Sequence, residues 1–175
     1  MKQTKYEYID GFYEGFGRVR LNKKWNFIDE QGDLLSDQWF DACGDFHEGF
    51  AVVELNNKCN FIDEQGNILS RQWFACCWNF HEGFAIVKVS DRYNFINKQC
   101  NYLSNQWFDE CYNFYKGFAA VKLNNKYNFI DYHGYLLNDQ WFNSCSNFHN
   151  GLANISINGK HRTINTKGEI INEKN

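Results

Sequence analysis

A period of 34 residues organises the whole chain. Glycine recurs at this step, and so do tryptophan, phenylalanine and cysteine, each in its own register. The recurring positions are Gly15, Gly49, Gly83, Gly117 and Gly151; Trp39, Trp73, Trp107 and Trp141; Phe46, Phe80, Phe114 and Phe148; and Cys43, Cys77, Cys111 and Cys145. We call each set of equivalent positions a column. A fixed period of this length is typical of repeat architectures, in which a recurring residue usually serves the packing of its own copy.

The period divides the chain into four full copies between two half copies. The full copies, first to fourth, are 15–48, 49–82, 83–116 and 117–150. Residues 1–14 repeat the second half of the unit, residues 151–172 repeat its first half, and 173–175 form a short tail. Because no linker, charge block or low-complexity segment interrupts this order, we predict one domain spanning 1–175.

Each copy reads as short β-strands separated by tight turns. In the second copy, the segments 52–55 and 58–63 predict a hairpin that is closed by Asn56 and Asn57, a dipeptide suited to tight turns. A third short strand is predicted at 67–69, after a second turn. The unit is therefore predicted to be a three-strand β-repeat.

The end of each copy is open to two interpretations. Segment 72–80 is compatible with a strand or with a turn of helix. Its alternation of aromatic and small residues favours extended structure, since such residues fit a pleated surface. Turn dipeptides every eight to ten residues leave no room for the paired helices of a tetratricopeptide unit.

Composition limits the classes of partner. The 175 residues carry a net charge of −3 and a pI near 5.9, which argues against general binding to nucleic acids or anionic lipid. Segment 1–12 lacks the apolar stretch of a signal peptide, and the longest apolar run, 73–78, is too short to span a bilayer. Seven cysteines, four of them in one column, predict free thiols and a cytoplasmic location. Abundant Asn, Lys, Phe and Tyr without proline point to an AT-rich genome, such as that of a bacterium or a phage.

The chain resembles a known repeat family. The segment KWNFID at 24–29, followed by Gly32, and the segment FHEG at 46–49 are similar to the unit of the WG, or KWG, β-repeat family, G-L-A-x-V-x-x-N-G-K-W-G-F-I-D-x-x-G. The resemblance covers essentially the whole chain. It implies an all-β repeat array of bacterial type. Such arrays are regarded as interaction modules, and the family offers no catalytic residues to carry over.

Three columns depart from the family pattern. The namesake glycine is replaced by Asn26, Asn60, Asn94 and Asn128. Asparagine tolerates positive φ better than other non-glycine residues, so we expect the local backbone geometry to survive. The Cys column falls where the family has a small, alanine-like residue, and the Trp column falls where the family is variable and often polar. We expect function at this last mismatch.

The Trp column is the main candidate for a binding surface. In an extended chain, Trp39 and Phe40 point to opposite faces of the sheet. Because the phenylalanine matches the family's usual aromatic residue, we expect it in the core and the tryptophan on the outer face. Four partly exposed indoles, Trp39, Trp73, Trp107 and Trp141, would form an apolar stripe that binds a ligand or partner. The alternative is that these indoles pack between neighbouring copies.

Two further columns complete the candidate surface. The His column is His47, His81, Tyr115 and His149, and the tyrosine favours surface rings beside the Trp column over a metal site. The basic column is Lys24, Lys58, Arg92, Lys126 and Lys160. It is either a solvated strand edge that discourages sheet association or a stripe for an anionic partner.

No column predicts catalysis, a metal site or a cofactor. The carboxylates Asp29, Asp63 and Asp131 are interrupted by Asn97 and are predicted to cap the following turns. The Cys column supplies one thiol per copy and no C-x-x-C pair, which favours a buried small hydrophobe over a metal ligand. No nucleophile elbow, phosphate-binding glycine loop or zinc helix motif is present in the sequence.

Two architectures fit a chain that starts and ends within a copy. One is an open, twisted, solenoid-like array that is capped by its half copies. The polar segment 160–163, in which Arg162 and Thr163 replace the recurring Asn and Phe, suits such a cap. The other is a closed five-unit propeller-like ring, although 34 residues are few for a four-stranded blade.

The function predicted from these observations is binding without catalysis. We expect a cytoplasmic repeat module that binds a partner protein through the Trp, His and basic columns. The alternative is a protein that binds a small molecule, glycan or nucleotide, because the hairpin 24–29 is similar to choline- and glucan-binding repeats of bacterial surface proteins.

Overall fold

The computed structural model describes residues 5–171, which form β-strands and no helix. The strands are β1 (Tyr8–Tyr13), β2 (Phe16–Leu21), β3 (Lys24–Asp29), β4 (Ala42–His47), β5 (Phe50–Leu55), β6 (Lys58–Asp63), β7 (Cys76–Cys77), β8 (Phe84–Val89), β9 (Arg92–Asn97), β10 (Glu110–Cys111), β11 (Phe118–Leu123), β12 (Lys126–Asp131), β13 (Ser144–Cys145), β14 (Leu152–Ile157), β15 (Lys160–Asn165) and β16 (Ile170–Ile171). The described chain thus has no helix that could cross a membrane.

The strands belong to two compact units. The first unit extends to Phe80 and includes 98–100, and the second contains the other described residues. The first unit holds two three-stranded antiparallel sheets, β1-β2-β3 and β4-β5-β6. The second unit holds the hairpin β8-β9, the sheet β10-β11-β12 and the four-stranded sheet β13-β14-β15-β16. The predicted all-β fold of tandem three-strand repeats is therefore confirmed. The open arrangement and the single domain stay predictions.

The central hairpin of the second copy is set by its turn dipeptide. β5 and β6 pair in continuous register around Asn56 and Asn57, whose φ angles are 53° and 60°. Two consecutive positive φ angles give a turn whose twist matches that of the flanking strands, and asparagine reaches this conformation at low cost. The turn predicted from the sequence is confirmed.

The end of the copy is extended, as predicted. Phe74 and Cys59 exchange two backbone hydrogen bonds of 2.9 and 3.0 Å, and the chain then enters β7. The expected third strand at 67–69 is limited to a single bridge between Ile62 and Ile68. In the sheets β1-β2-β3, β4-β5-β6 and β10-β11-β12 the third strand instead precedes the central hairpin, whereas β16 follows one.

The core of each copy is a wedge of three phenylalanines. In the first copy, the Phe46 ring lies 4.6 Å from Phe16 and 5.0 Å from Phe27. In the third copy, the Phe114 ring lies 4.9 Å from Phe84. The residue after each indole of the Trp column is also buried: Phe40, Phe74, Phe108 and Phe142. Each buried phenyl ring contributes about 2–3 kcal/mol to the stability of the fold. The burial of the phenylalanine after each tryptophan confirms the prediction that it occupies the core.

The asparagine that replaces the namesake glycine has another role than the one expected. Asn60 is fully buried, and it is absent from the described residues with positive φ. Its Nδ2 donates to the carbonyl of Ser70 at 2.7 Å, and its Oδ1 accepts the backbone N–H of Phe61 at 2.9 Å. The expectation of a glycine-like backbone was wrong, because this side chain instead satisfies buried backbone groups and ties the following loop to β6.

The glycine of the second turn is required by a close backbone approach. A Cβ added to Gly66 would lie 2.2 Å from the carbonyl oxygen of Leu35 in the preceding copy, and the φ of Gly66 is +81°. Gly134 approaches Leu103 in the same way. The third copy has Cys100 at this position, with a φ of 63°. At Gly66 and Gly134, the backbones of neighbouring copies therefore lie close together.

Candidate binding site

The Trp column lies at the boundary between core and solvent. Trp39, Trp73, Trp107 and Trp141 are all half-buried. Trp73 packs against the core around Phe27 and Phe46, and the Trp107 ring lies 5.0 Å from that of Tyr102. Each indole therefore has both roles considered above, since one part packs within the fold and the rest faces solvent.

The basic column is neutralised within the chain in two copies. The ammonium of Lys24 pairs with the Asp41 carboxylate, and the guanidinium of Arg92 pairs with Asp109. Asp41 also accepts the backbone N–H of Asn56 at 2.8 Å. The hydrogen bond from Lys24, together with that N–H, lowers the pKa of Asp41. In these copies the base and its acid form a fixed pair at the hairpin turn.

The second copy breaks this pattern. Ala75 stands where the first and third copies have Asp41 and Asp109. Lys58 is exposed, and no ion pair within residues 5–171 involves it. The second copy therefore presents a cation whose acidic counterpart is missing from the chain.

Lys58 lies between two surface depressions. One, of about 510 Å³, is lined by Leu55, Asn56, Lys58, Gln72 and Trp73. The other, of about 450 Å³, is lined by Glu54, Asn57, Lys58, Cys59, Ala75, Cys76, Cys77 and Trp78. The structure thus brings a member of the basic column and a member of the Trp column into one concave surface, with a second indole on the other side of the lysine.

A disulfide forms the wall of the second depression. Cys59 and Cys77 are bonded, with their Cα atoms 5.9 Å apart. The prediction that all thiols are free was wrong for this pair. Cys59 replaces the aromatic residue that the other copies carry as Trp25, Tyr93 and Tyr127, and this exchange brings a second sulfur next to the Cys column.

The other members of the Cys column behave as small hydrophobes. Cys43, Cys111 and Cys145 pack against the cores of their copies. Burial raises the pKa of the Cys43 thiol to about 12 and that of Cys145 to about 11, and it raises the pKa of Cys111 as well. These thiols stay protonated at neutral pH and are poor nucleophiles.

The His column lies away from the other two columns. His47 pairs with Phe50 at one end of β4, whereas Ala42 pairs with Glu54 at the other end, near the hairpin turn. His47, Tyr115 and His149 are exposed, and the last two rings lie 6.2 Å apart. His47 and Ala42 lie five residues apart on β4, and a strand rises about 3.3 Å per residue. The His column is therefore separated from the Trp and basic columns, and the three do not form one continuous patch.

The Asp column caps turns, as predicted. Asp63 accepts the backbone N–H groups of Gln65 at 3.0 Å and Asn67 at 2.8 Å. Asn97 accepts the N–H of Asn101 at 2.9 Å, so the exchange of Asp for Asn in the third copy keeps this role. Across residues 5–171, no cluster of His, Cys, Asp and Glu side chains could hold a metal ion.

Sequence reasoning missed one candidate column of the surface. Trp78 and Tyr112 are about two-fifths exposed, at 40% and 41%, and they line depressions in the first and the second unit. Their column is Gly44, Trp78, Tyr112 and Ser146. A position that varies so widely in size beside invariant core residues indicates a surface column, and this was the available signal.

Comparison with known sequences identifies the repeats. The family model described as "WG containing repeat" matches residues 3–25, 27–59 and 108–127. These segments are WG-type repeats. The resemblance to the WG repeat family is therefore confirmed for these three segments. No curated protein sequence matches the chain.

Among solved structures, those that match this chain have low sequence identity to it. Hsv2 of Kluyveromyces lactis matches with 12% identity and a TM-score of 0.48, over 94% of this chain and 62% of the other. The N-terminal domain of Nup159 matches with 9% identity and a TM-score of 0.47, over 91% and 58%. A protein of unknown function from Bacteroides caccae matches with 10% identity and a TM-score of 0.37, over 97% and 81%. The chain thus spans about three-fifths of the length of the Hsv2 structures.

Proposed function

We propose that this chain is a non-catalytic binding module that captures a partner protein at the edge where the Trp and basic columns meet. The observation that carries the proposal is the depression of about 510 Å³ that Trp73 and Lys58 line together. An indole beside a cation, on a concave surface, is the combination that anchors protein interfaces.

The remaining polar groups support binding rather than catalysis. Carboxylates of the Asp column are engaged with backbone N–H groups, and burial raises the pKa of the Cys43 thiol to about 12. Neither arrangement prepares a nucleophile or a general base at neutral pH. The cytoplasmic location stays a prediction, and the Cys59–Cys77 bridge counts against it, because disulfides are rare in reducing compartments.

Panning a random 12-residue peptide display library on the whole chain tests the proposal. We expect enriched peptides that lose binding to the double variant Trp73→Ser/Trp107→Ser and to Lys58→Glu/Lys126→Glu. The second variant changes an exposed and a half-buried side chain outside the core, so we expect it to keep its fold. The matched control is His47→Ser/His149→Ser at the other end of the strands, which should leave binding intact. The proposal fails when no peptide is enriched or when the first two variants bind as the native chain does.

The alternative, binding of a small molecule or glycan, has one observation in its favour. In the second unit, a depression of about 320 Å³ is lined by Tyr112, Ala120, Tyr127, Ser144, Cys145, Ser146 and Asn147. Aromatic faces with hydroxyl and amide groups suit a small polar ligand. A thermal-shift screen over sugars, choline and nucleotides separates the two proposals, since a bound ligand raises Tm.

A further inference from the structure

We propose that the second copy accepts a carboxylate side chain from the partner, at Lys58, in the position that Asp41 and Asp109 occupy in the neighbouring copies. The ligand class is a short peptide segment with one Asp or Glu next to large apolar residues. This inference rests on the proposed function and names the chemistry of its partner.

The chain itself contains the template for this interaction. Asp41 binds Lys24 with Oδ1 and the backbone N–H of Asn56 with Oδ2, at 2.8 Å for the latter. Asp109 repeats this arrangement with Arg92 and with the N–H of Asn124 at 2.6 Å. Two different cations are thus held by a carboxylate in the same way. The position of Asp41 and Asp109 is therefore a carboxylate site, which the chain fills with its own side chain in two copies.

The second copy keeps the cation, Lys58, but lacks the aspartate that would pair with it. Ala75 follows Lys58 by the same 17 residues that separate the acid from the base in the paired copies. The methyl group of Ala75 lies in the lining of the depression beside Lys58. A carboxylate from another chain finds there an exposed cation and a space that is not occupied by an aspartate.

The surroundings of Lys58 favour an acid that is flanked by apolar residues. Trp73 and Trp78 line the two depressions on either side of the lysine. Their rings offer surfaces for apolar side chains, and a charge-assisted hydrogen bond gains strength where such contacts exclude water. The Cys59–Cys77 bond holds one wall in place, which lowers the cost of ordering the site on binding.

The other charge at the site limits how many acidic groups it can bind. Glu54 lines the depression that contains Trp78, and its carboxylate repels a second acid there. The depression that contains Trp73 has Leu55, Asn56 and Gln72 as its other neighbours of Lys58 and no carboxylate in its lining. The carboxylate therefore binds beside Ala75, the apolar residues next to it extend towards Trp73, and a single carboxylate is preferred to a polyacidic run.

The test compares two capped peptides, Ser-Phe-Glu-Leu-Ser and its amide counterpart Ser-Phe-Gln-Leu-Ser. Binding is followed by NMR through the indole N–H signals of Trp73 and Trp78, assigned with single Trp→Phe variants. On the native chain we expect the acid peptide to bind about tenfold more tightly than the amide peptide, and the difference to shrink at high salt.

The decisive variant is Ala75→Asp, which restores the residue of the paired copies. We expect it to reduce binding of the acid peptide to the level of the amide peptide. The matched control is Asn143→Asp, which adds the same charge to the same column in the fourth copy and should leave the Trp73 response unchanged. In the opposite direction, Asp109→Ala should create a second acceptor at Arg92, seen as a new response of the Trp107 indole.

The outcomes separate this inference from the proposed function. Equal binding of the acid and amide peptides, no binding of either, or equal effects of Ala75→Asp and Asn143→Asp would each overturn the carboxylate site. Library peptides that bind the native chain and Ala75→Asp alike would also overturn it while leaving the binding module in place. Failure of the library to enrich any peptide would remove both.

Discussion

The second and third copies have the same hairpin register but differ in the side-chain interactions that stabilise it. Both hairpins have the same register, with Val53 opposite Asn60 in one and Val87 opposite Asn94 in the other. The second copy has a Cys59–Cys77 bond and an exposed Lys58. The third copy has tyrosine in place of Cys59, and its Arg92 is paired with Asp109. The recurring residues set the fold, and the variable columns are free to acquire a crosslink or a binding site.

The largest difference between the copies is expected at the second turn. Gly66→Ala places a Cβ 2.2 Å from the carbonyl of Leu35, at a φ of +81°, and should lower the free energy of unfolding by about 3 kcal/mol. Cys100→Ala in the third copy should be nearly neutral, because that position already carries a Cβ at a φ of 63°. Urea denaturation measures both, and equal losses would refute the role of the backbone contact.

The next largest effect is the loss of the disulfide. The bond closes a loop with a sequence separation of 18, so reduction should lower the free energy of unfolding by about 3 kcal/mol. Cys59→Tyr, which installs the residue of the third and fourth copies, should make stability insensitive to the reductant. The measurement is urea denaturation with and without a thiol reductant. Coinciding midpoints for the native chain would contradict the prediction.

The asparagine column should affect the two copies equally. Asn60→Ala and Asn94→Ala each leave a Ser carbonyl and a buried backbone N–H without their hydrogen bonds, at a cost of about 2 kcal/mol. Asn105→Ala, at an exposed position, is the control and should change little. The Tm values of the three variants provide the comparison. A large difference between Asn60→Ala and Asn94→Ala would show that the two asparagines do not stabilise their copies in the same way.

The smallest effect is a pH dependence that is specific to the third copy. Hydrogen bonds from Lys122 and Tyr112 lower the pKa of Glu110, whereas the second copy has Cys76 at this position. A lowered pKa stabilises the fold above the ordinary Glu value, and this contribution is lost as pH falls through the folded value. Urea midpoints at about pH 7 and pH 3 should therefore fall less for Glu110→Gln than for the native chain. Equal falls would show that the carboxylate is not engaged.

Local features of the fold could be predicted from the sequence. The turn at Asn56 and Asn57, the buried phenylalanine after each tryptophan and the turn cap at Asp63 are determined by neighbours within a few residues. In each case the chemistry of one side chain, such as the low cost of positive φ for asparagine, acts on its own stretch of backbone. A positive φ was wrongly predicted for Asn60, whose hydrogen-bond partner Ser70 lies across a loop.

The candidate site was predictable only in part. The Trp and basic columns were identified as candidates, but their meeting at Lys58 and Trp73 and the separation of His47 from both depend on strand register. Trp78 was overlooked because its column varies, although that variation marks its exposure.

By itself, the sequence determined the repeat, its strands and turns, and the residues of its core, because these follow from period, alternation and turn chemistry along the chain. Tertiary structure alone decided which columns share a surface, which cysteines bond and which members of the basic column pair with an acid. These relations join residues from different strands and copies, and only the pairing of the strands fixes the distances between them.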